Sequence, residues 1–268
     1  MIKNDCVYYE FLGNKRQDIL LMSDVHFDSP ECDRKLFKRL LNEALERNAK
    51  IMFFGDFFDM MGGKYDPRTN KGHIRIEYQV ADYFDEVIRD AAKFLEPYKN
   101  NIVFFGMGNH EYSVVKRHEF NPLRQLVREL NIDADLGNYT GYMKLFYSGS
   151  TKGNGKGYDL YWTHGSGGNA PVTKGMIGVN RKASAIDADI FVSGHIHQGW
   201  VAPHTRMKLN SMGNIEYYDQ THIQLGTFKD QGEWESSKGF NPPTKGGCWL
   251  KFTGGRIDNV RYITERAC

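Results

Sequence analysis

Apolar residues arrive along this chain in two textures. Up to about residue 138, unbroken apolar runs alternate with stretches in which apolar positions recur every three or four residues; from Tyr139 onwards the runs are shorter, aromatic and alternating. Asp18 to Met22, Ile51 to Phe54 and Asn101 to Phe105 have the continuous character of strands buried on both faces. Cys6 to Phe11 alternates loosely, as an edge strand does. Between the runs, Leu36, Phe37, Leu40, Leu41, Ala44 and Leu45 share one face of a helix within 33–48. A long amphipathic helix is predicted to bury Ile76, Val80, Phe84, Val87, Ile88, Ala91 and Leu95, with Pro97 marking its stop. A helix from about Pro122 to Leu130 closes a third strand-loop-helix unit.

In the second texture, Tyr142 to Tyr147 and Tyr158 to Thr163 read as strands joined by a Gly/Lys/Asn turn at 151–157. A Gly-rich loop from Gly165 to Gly178 and a short helix around Arg181 to Ile186 precede the strand Asp189 to Ser193. The remainder, Val201 to Arg266, is expected to form several antiparallel strands. The order strand, helix, strand in the first half makes this an α/β protein, and no internal repeat, heptad or low-complexity tract divides it.

Composition adds bounds rather than identity. With 268 residues, 40% apolar, the chain can bury a large core and is expected to form a single domain over 1–268. With a formal charge of +2, the surface as a whole does not announce a nucleic-acid or membrane binder, which leaves room for a local basic patch. Cys6, Cys32, Cys248 and Cys268 are too scattered for a zinc knuckle or disulfide framework. With neither a signal-like amino terminus nor an apolar run of spanning length, the expectation is a soluble, cytoplasmic protein without membrane partners.

What changes the picture is where the runs end. Five of them deliver side chains that bind metals: Asp24 with His26, Asp56 with Asp59, Asn109 with His110, His164, and His195 with His197. Ligands of α/β proteins gather at the carboxyl ends of strands, and one such histidine means little, but five of the nine histidines follow apolar runs. Imidazole, carboxylate and amide oxygen suit Mn, Zn or Fe, and no thiolate joins them. Two divalent ions need about seven protein ligands when water and substrate take the rest, and this set supplies seven without neutralising the ions' charge.

In order, these blocks are D-x-H, G-D-x-x-D, G-N-H-E, H and G-H-x-H, spread from Asp24 to His197. The chain thereby resembles the calcineurin-like metallophosphoesterase superfamily, over roughly two-thirds of its length. The resemblance implies two mixed β-sheets packed as a sandwich with helices on the outer faces. It implies two divalent metal ions, Mn foremost with Zn, Fe or Ni as alternatives. Asp24, His26, Asp56 and His197 would hold one, and Asp56, Asn109, His164 and His195 the other, with Asp56 shared. The implied activity is hydrolysis of a phosphate ester by attack of a water or hydroxide bridging the ions. His110 would protonate the leaving oxygen or bond the phosphate, and Asp59 would orient its imidazole. Glu111 is expected either to support a ligand or simply to start a helix.

The ester is less legible. Protein phosphatases of the superfamily carry Arg-Gly after G-D-x-x-D, where this chain has Met60-Met61-Gly62. That departure favours a phosphodiester in a nucleotide or nucleic acid. A phosphomonoesterase such as a Ser/Thr protein phosphatase is the alternative, and a non-catalytic metal-binding interaction protein the remote one. Arg68, Lys71 and Arg75, with Lys64 and His73, and Lys174 and Arg181, with Lys182, form two basic clusters expected to grip the substrate. Phe57 or Phe58 would edge the crevice or, more simply, fill the core, and Thr227 to Trp249 would either cover the site or merely connect strands.

Overall fold

The computed structural model describes residues 2–3, 6–12, 16–60, 65, 74–148, 156–168, 172–253 and 256–262. Two mixed sheets stack face to face. The first half builds β1 (Ile2–Lys3), β2 (Cys6–Leu12), β3 (Gln17–Met22), α1 (Arg34–Glu46), β4 (Lys50–Phe54), α2 (Tyr83–Leu95), β5 (Ile102–Gly106), α3 (Asn109–His118), α4 (Pro122–Glu129) and β6 (Asp135–Gly137). The second adds β7 (Thr140–Ser148), β8 (Lys156–Thr163), α5 (Met176–Ala183), β9 (Ile190–Ser193), β10 (Trp200–Leu209), β11 (Ile215–Gln224), α6 (Glu233–Ser237), β12 (Cys248–Thr253) and β13 (Arg256–Tyr262). One sheet runs β13-β12-β3-β4-β5-β6, the other β1-β2-β7-β8-β9-β11-β10. In the first, β3, β4, β5 and β6 are parallel and β12 pairs antiparallel to β3.

The unbroken apolar runs have a direct cause in this stacking. Ile19 and Leu21 of β3, Met52 and Phe54 of β4 and Phe104 of β5 face the other sheet, where they meet Met143, Leu145, Leu160, Trp162 and Ile190. Leu20, Met22, Ile51, Phe53 and Phe105 point the opposite way, into a second core closed by α1, α2 and α4. A strand with apolar cores on both sides has no position for a polar residue. Each fully buried Phe there contributes on the order of 1.5–3 kcal/mol.

Several expectations shift. The second helix begins at Tyr83, because Ile76 is 84% and Val80 50% exposed; Ile76–Tyr78 is an isolated 3-10 turn, and Pro97 sits in another directly after the helix. Helix α3, one of the two expectations for Glu111, follows Gly108; it buries only Glu111 and Val114, too little apolar surface for spacing alone to announce it. The short helix near residue 181 begins earlier, at Met176. Strand β2 is covered by β1 on one side and pairs parallel with β7 on the other, so it is not an edge. The last third is not wholly antiparallel, since β11 lies parallel to β9. The turn residues 151–155 and loop residues 169–171 lie outside the described residues. Among the described residues no helix is long and apolar enough to cross a membrane.

Candidate metal centre

Strands β3, β4 and β5 are neighbours in one sheet and β8 and β9 in the other, and all five end at the same edge of the sandwich. The loops that follow are tied to one another by backbone hydrogen bonds. Asp24 N–H donates to Gly55 C=O (3.0 Å), His26 N–H to Asp56 C=O (3.1 Å) and Gly194 N–H to His164 C=O (2.9 Å). The carboxylates are held from behind: Asp24 Oδ2 accepts from His195 N–H and Asp56 Oδ1 from His110 N–H, both at 2.9 Å. Asp24, His26, Asp56, His195 and His197 all have φ between 47° and 75°, the left-handed region that non-glycine residues seldom occupy. Such a concentration of costly backbone marks a site whose surroundings overdetermine it. Gly55, at φ 98°, leaves room for His164: a Cβ there would lie 2.3 Å from its Nδ1.

The donor atoms converge. One atom from each of Asp24, His26 and His197 lies within 4.8 Å of the other two, and the same holds for Asp56, His164 and His195. His197 Nε2 stands 3.2 Å from Asp24 Oδ1 and 3.3 Å from His26 Nε2, and His164 Nε2 stands 3.0 Å from Asp56 Oδ2. A third group, His26, Asp59 and His110, is accounted for by hydrogen bonding within it.

The protons show what the cluster lacks. His164 Nδ1 lies 3.0 Å from the Phe54 carbonyl, which can only accept, so Nδ1 carries the proton and Nε2 turns its lone pair toward the Asp56 carboxylate. In the neutral ring, two acceptors face each other. Asp24 Oδ1, Asn109 Oδ1 and His164 Nε2 are buried atoms with no hydrogen-bond partner, and all three belong to the candidate ligand set. A divalent cation can take these lone pairs together, and oxygen with imidazole is the donor chemistry that intermediate divalent metals take. Without a cation the charge falls on the imidazole. Burial opposes protonation of His164, but Asp56 and Asp24 push it up to about 10, and they in turn are held down. Burial alone would raise Asp24, yet His164 and His197 bring it to about 2, while Asp56 falls well below the usual carboxylate range against the same penalty. Burial keeps His26 at about 4 despite Asp59, so it is a neutral donor near pH 7.

Glu111 fills both expected roles. It lies in the first turn of α3, fully buried, and accepts from the backbone N–H groups of Asp56 (3.1 Å), Phe58 (2.9 Å) and Gly108 (2.9 Å). It thereby braces the loop that presents Asp56. Burial and the Asp56 charge push its carboxyl up to about 7 against those donors.

Asp59 departs from expectation. Its carboxylate Oδ1 lies 2.7 Å from His26 Nδ1 and 3.7 Å from His110 Nδ1. What holds His110 is the main-chain carbonyl of Asp59, 2.6 Å from Nδ1. This leaves Nε2 of His110 facing the centre, 3.9 Å from Asp56 Oδ2.

Of the basic clusters, Arg75, Lys174 and Arg181 are described and do not line the crevice. Arg68 and Lys71, with Lys64 and His73, lie outside the described residues. Arg75 turns inward and donates to the carbonyls of Ser29 and Cys32, while Lys174 and Arg181 are exposed and line no part of the crevice. Phe57 and Phe58 are fully buried in the helix-side core. The crevice, of about 630 Å3, takes its outer wall instead from the connection between β11 and β12. That segment reaches back over the centre: Thr227 Oγ1 and Phe228 N–H both donate to Asp24 C=O, and Thr244 N–H to His197 C=O. It brings Lys229, which no motif singles out, with Nζ 3.7 Å from Asp59 Oδ1. Asp230, Glu233 and Glu235 also line this wall, and Glu31, from the loop after β3, lines the crevice as well.

The family model for calcineurin-like phosphoesterases matches residues 18–251. Among solved structures, the chain is similar to Vacuolar Protein Sorting 29 from Cryptosporidium parvum, at 11% identity over 93% of this chain and 99% of that one, with a TM-score of 0.43. It is similar to Vps29 complexed with Zn from Entamoeba histolytica, at 11% identity over 91% and 89%, TM-score 0.39. A metallophosphoesterase from Sphaerobacter thermophilus follows at 17% identity over 89% and 85%, TM-score 0.34. No curated protein matches the chain.

Proposed function

Since the chain belongs to the calcineurin-like phosphoesterase family, we propose that it is a metal-dependent hydrolase of small phosphodiesters, nucleotide-sized rather than polymeric. The observation that carries this reading is the set of three orphaned buried donors, Asp24 Oδ1, Asn109 Oδ1 and His164 Nε2, at the meeting point of five strand ends. Asp24, His26, Asp56 and His197 would hold one divalent ion, and Asp56, Asn109, His164 and His195 a second, Mn being the first to test. When bound, such ions supply Lewis acidity toward phosphoryl oxygens and lower the pKa of water.

The chain's own residues then have distinct tasks. Asp59 fixes the tautomer of His26 by accepting from Nδ1, so that Nε2 is free as an electron-pair donor. His110, anchored by the Asp59 carbonyl, presents Nε2 toward the crevice; in its protonated form that nitrogen donates to the leaving oxygen. Lys229 is the one Lys or Arg among the described residues lining the crevice, and it offers a charge to a non-bridging phosphate oxygen.

Two features favour a diester. A phosphomonoester carries about 1.5–2 negative charges at neutral pH, a diester one, and among the described residues this crevice offers a single lysine. The position that would hold an arginine in a protein phosphatase is Met60, which is buried. The acidic residues of the outer wall oppose a nucleic-acid strand laid along it. The test compares bis- and mono-p-nitrophenyl phosphate with single- and double-stranded DNA in Mn, with Asp56→Asn as control. The diester should turn over fastest and its Michaelis constant should hardly change with salt. Faster cleavage of the monoester, or DNA cleavage that collapses steeply with salt, would refute the corresponding half of the proposal.

A further inference from the structure

Behind the loops that carry His164 and His195 lies a second cavity, of about 170 Å3. Thr163, Gly165, Gly194 and Ile196, chain neighbours of those histidines, form one wall, and α5 forms another. Gly168 and Ile196 line both this cavity and the crevice, so the two adjoin beside the metal centre. A Cβ added at Gly168 or Gly178 would meet nothing within 4 Å, which leaves the space between the walls open.

The chemistry of the lining is one-sided. Among the described residues around it there is no carboxylate, and the one charged side chain is Lys182. The deeper polar groups are already engaged: Ser193 Oγ donates to Gln224 Oε1 at 2.7 Å, and Gln224 Nε2 donates to Gly194 C=O at 2.6 Å. Lys182 Nζ has Thr163 Oγ1 at 3.3 Å, and no described carboxylate pairs with it. Lys229 and Lys245, by contrast, each lie within 4 Å of two acidic side chains. Burial lowers the Lys182 ammonium below its ordinary value, as expected of a cation partly stripped of water with no anion in return.

We propose that this cavity is a subsite for a second phosphate group of the substrate, held by Lys182 while the ester beside it is cut at the metal centre. The inference rests on the phosphodiesterase reading above and narrows it to small esters with a phosphate elsewhere on the molecule. It also gives α5 a task, since none of its residues is buried in the core.

The test uses two chromogenic diesters, the p-nitrophenyl ester of thymidine 5′-phosphate with and without a 3′-phosphate, on the manganese-loaded protein. The wild type should prefer the 3′-phosphorylated ester by about tenfold or more in kcat/KM, the scale of one charge-assisted hydrogen bond. Lys182→Gln should bring that ratio to about one, and Lys182→Arg should restore most of it. A wild-type ratio of one, or a ratio that survives Lys182→Gln, overturns the subsite. Cleavage of neither ester would instead count against the phosphodiesterase reading, and calorimetry then decides separately. Thymidine 3′,5′-bisphosphate should bind wild type about tenfold more tightly than Lys182→Gln does, with thymidine 5′-phosphate and inorganic phosphate distinguishing a held substrate group from a free ion. Equal affinities would end the proposal.

Discussion

Asp59→Asn separates two accounts of this centre. The carboxylate lies 2.7 Å from His26 Nδ1, 3.7 Å from Lys229 Nζ and is only 4% exposed, so the change keeps the volume and removes one charge from the buried hydrogen bond to His26 and from the longer contact with Lys229. A hydrogen bond to a charged group contributes about 1.5–3 kcal/mol and a neutral one about 0.5–1.5. The difference, about 1–1.5 kcal/mol, corresponds to about a tenfold loss in affinity for an ion that His26 would help to hold. Losses of 10- to 100-fold are the usual scale for such supporting partners. The His110 anchor is a backbone carbonyl and survives the substitution. Manganese titration of the metal-free protein should therefore show an affinity lower by about tenfold, with turnover recovered when the metal is raised to saturation. If Asp59 acted on His110 instead, metal affinity would stay and the rate would fall at every metal concentration. That second outcome would refute the pairing argued here.

His110→Ala should leave metal stoichiometry by calorimetry unchanged and lower kcat for the diester by about 10²- to 10⁴-fold; wild-type turnover would remove it from the mechanism. Phe57→Ala, in the core between sheet and helices, should cost about 3–5 kcal/mol by urea denaturation and leave the preference between esters unmoved. A shift in ester preference without loss of stability would return Phe57 to the crevice. Asp18, almost fully buried, is held below 3.8 by Arg16 and Arg47 although burial opposes this. Its contribution to stability is thus present above pH 3.8 and lost as pH falls through the lower folded value. Asp18→Asn should be less stable than wild type at neutral pH, with the gap closing below that point, and a gap independent of pH would contradict the assignment.

The strands that carry the site were legible for one reason: β3, β4 and β5 have cores on both faces, so their ends show as the place where an apolar run stops. A polar residue there must belong to whatever lies at the edge of the sheet. Amphipathic spacing misled where the apolar residues face water, as Ile76 and Val80 do. It was silent for α3, which packs a carboxylate inward rather than a hydrophobic stripe. The partner of Asp59 could not be read from spacing, since two histidines from different loops fall within 4 Å of its carboxylate. Lys229 carried no signal because its place comes from a bond between residues 203 positions apart, Thr227 Oγ1 to Asp24 C=O. Arg75 looked like a substrate residue and instead buttresses the loop after His26, a use of arginine that composition does not distinguish from phosphate binding.

The bond from Thr227 Oγ1 to Asp24 C=O ties the first loop of the centre to a segment that comes late in the sequence. All seven candidate ligands precede residue 198, yet the Asp24 carbonyl is held by Thr227 and Phe228, and β12, starting at Cys248, supplies the second neighbour of β3. During synthesis on the ribosome, a chain released at residue 198 would own every ligand and lack the frame that aims them. Such a chain would hold its candidate ligands unaimed until the segment from Thr227 to β12 had been added.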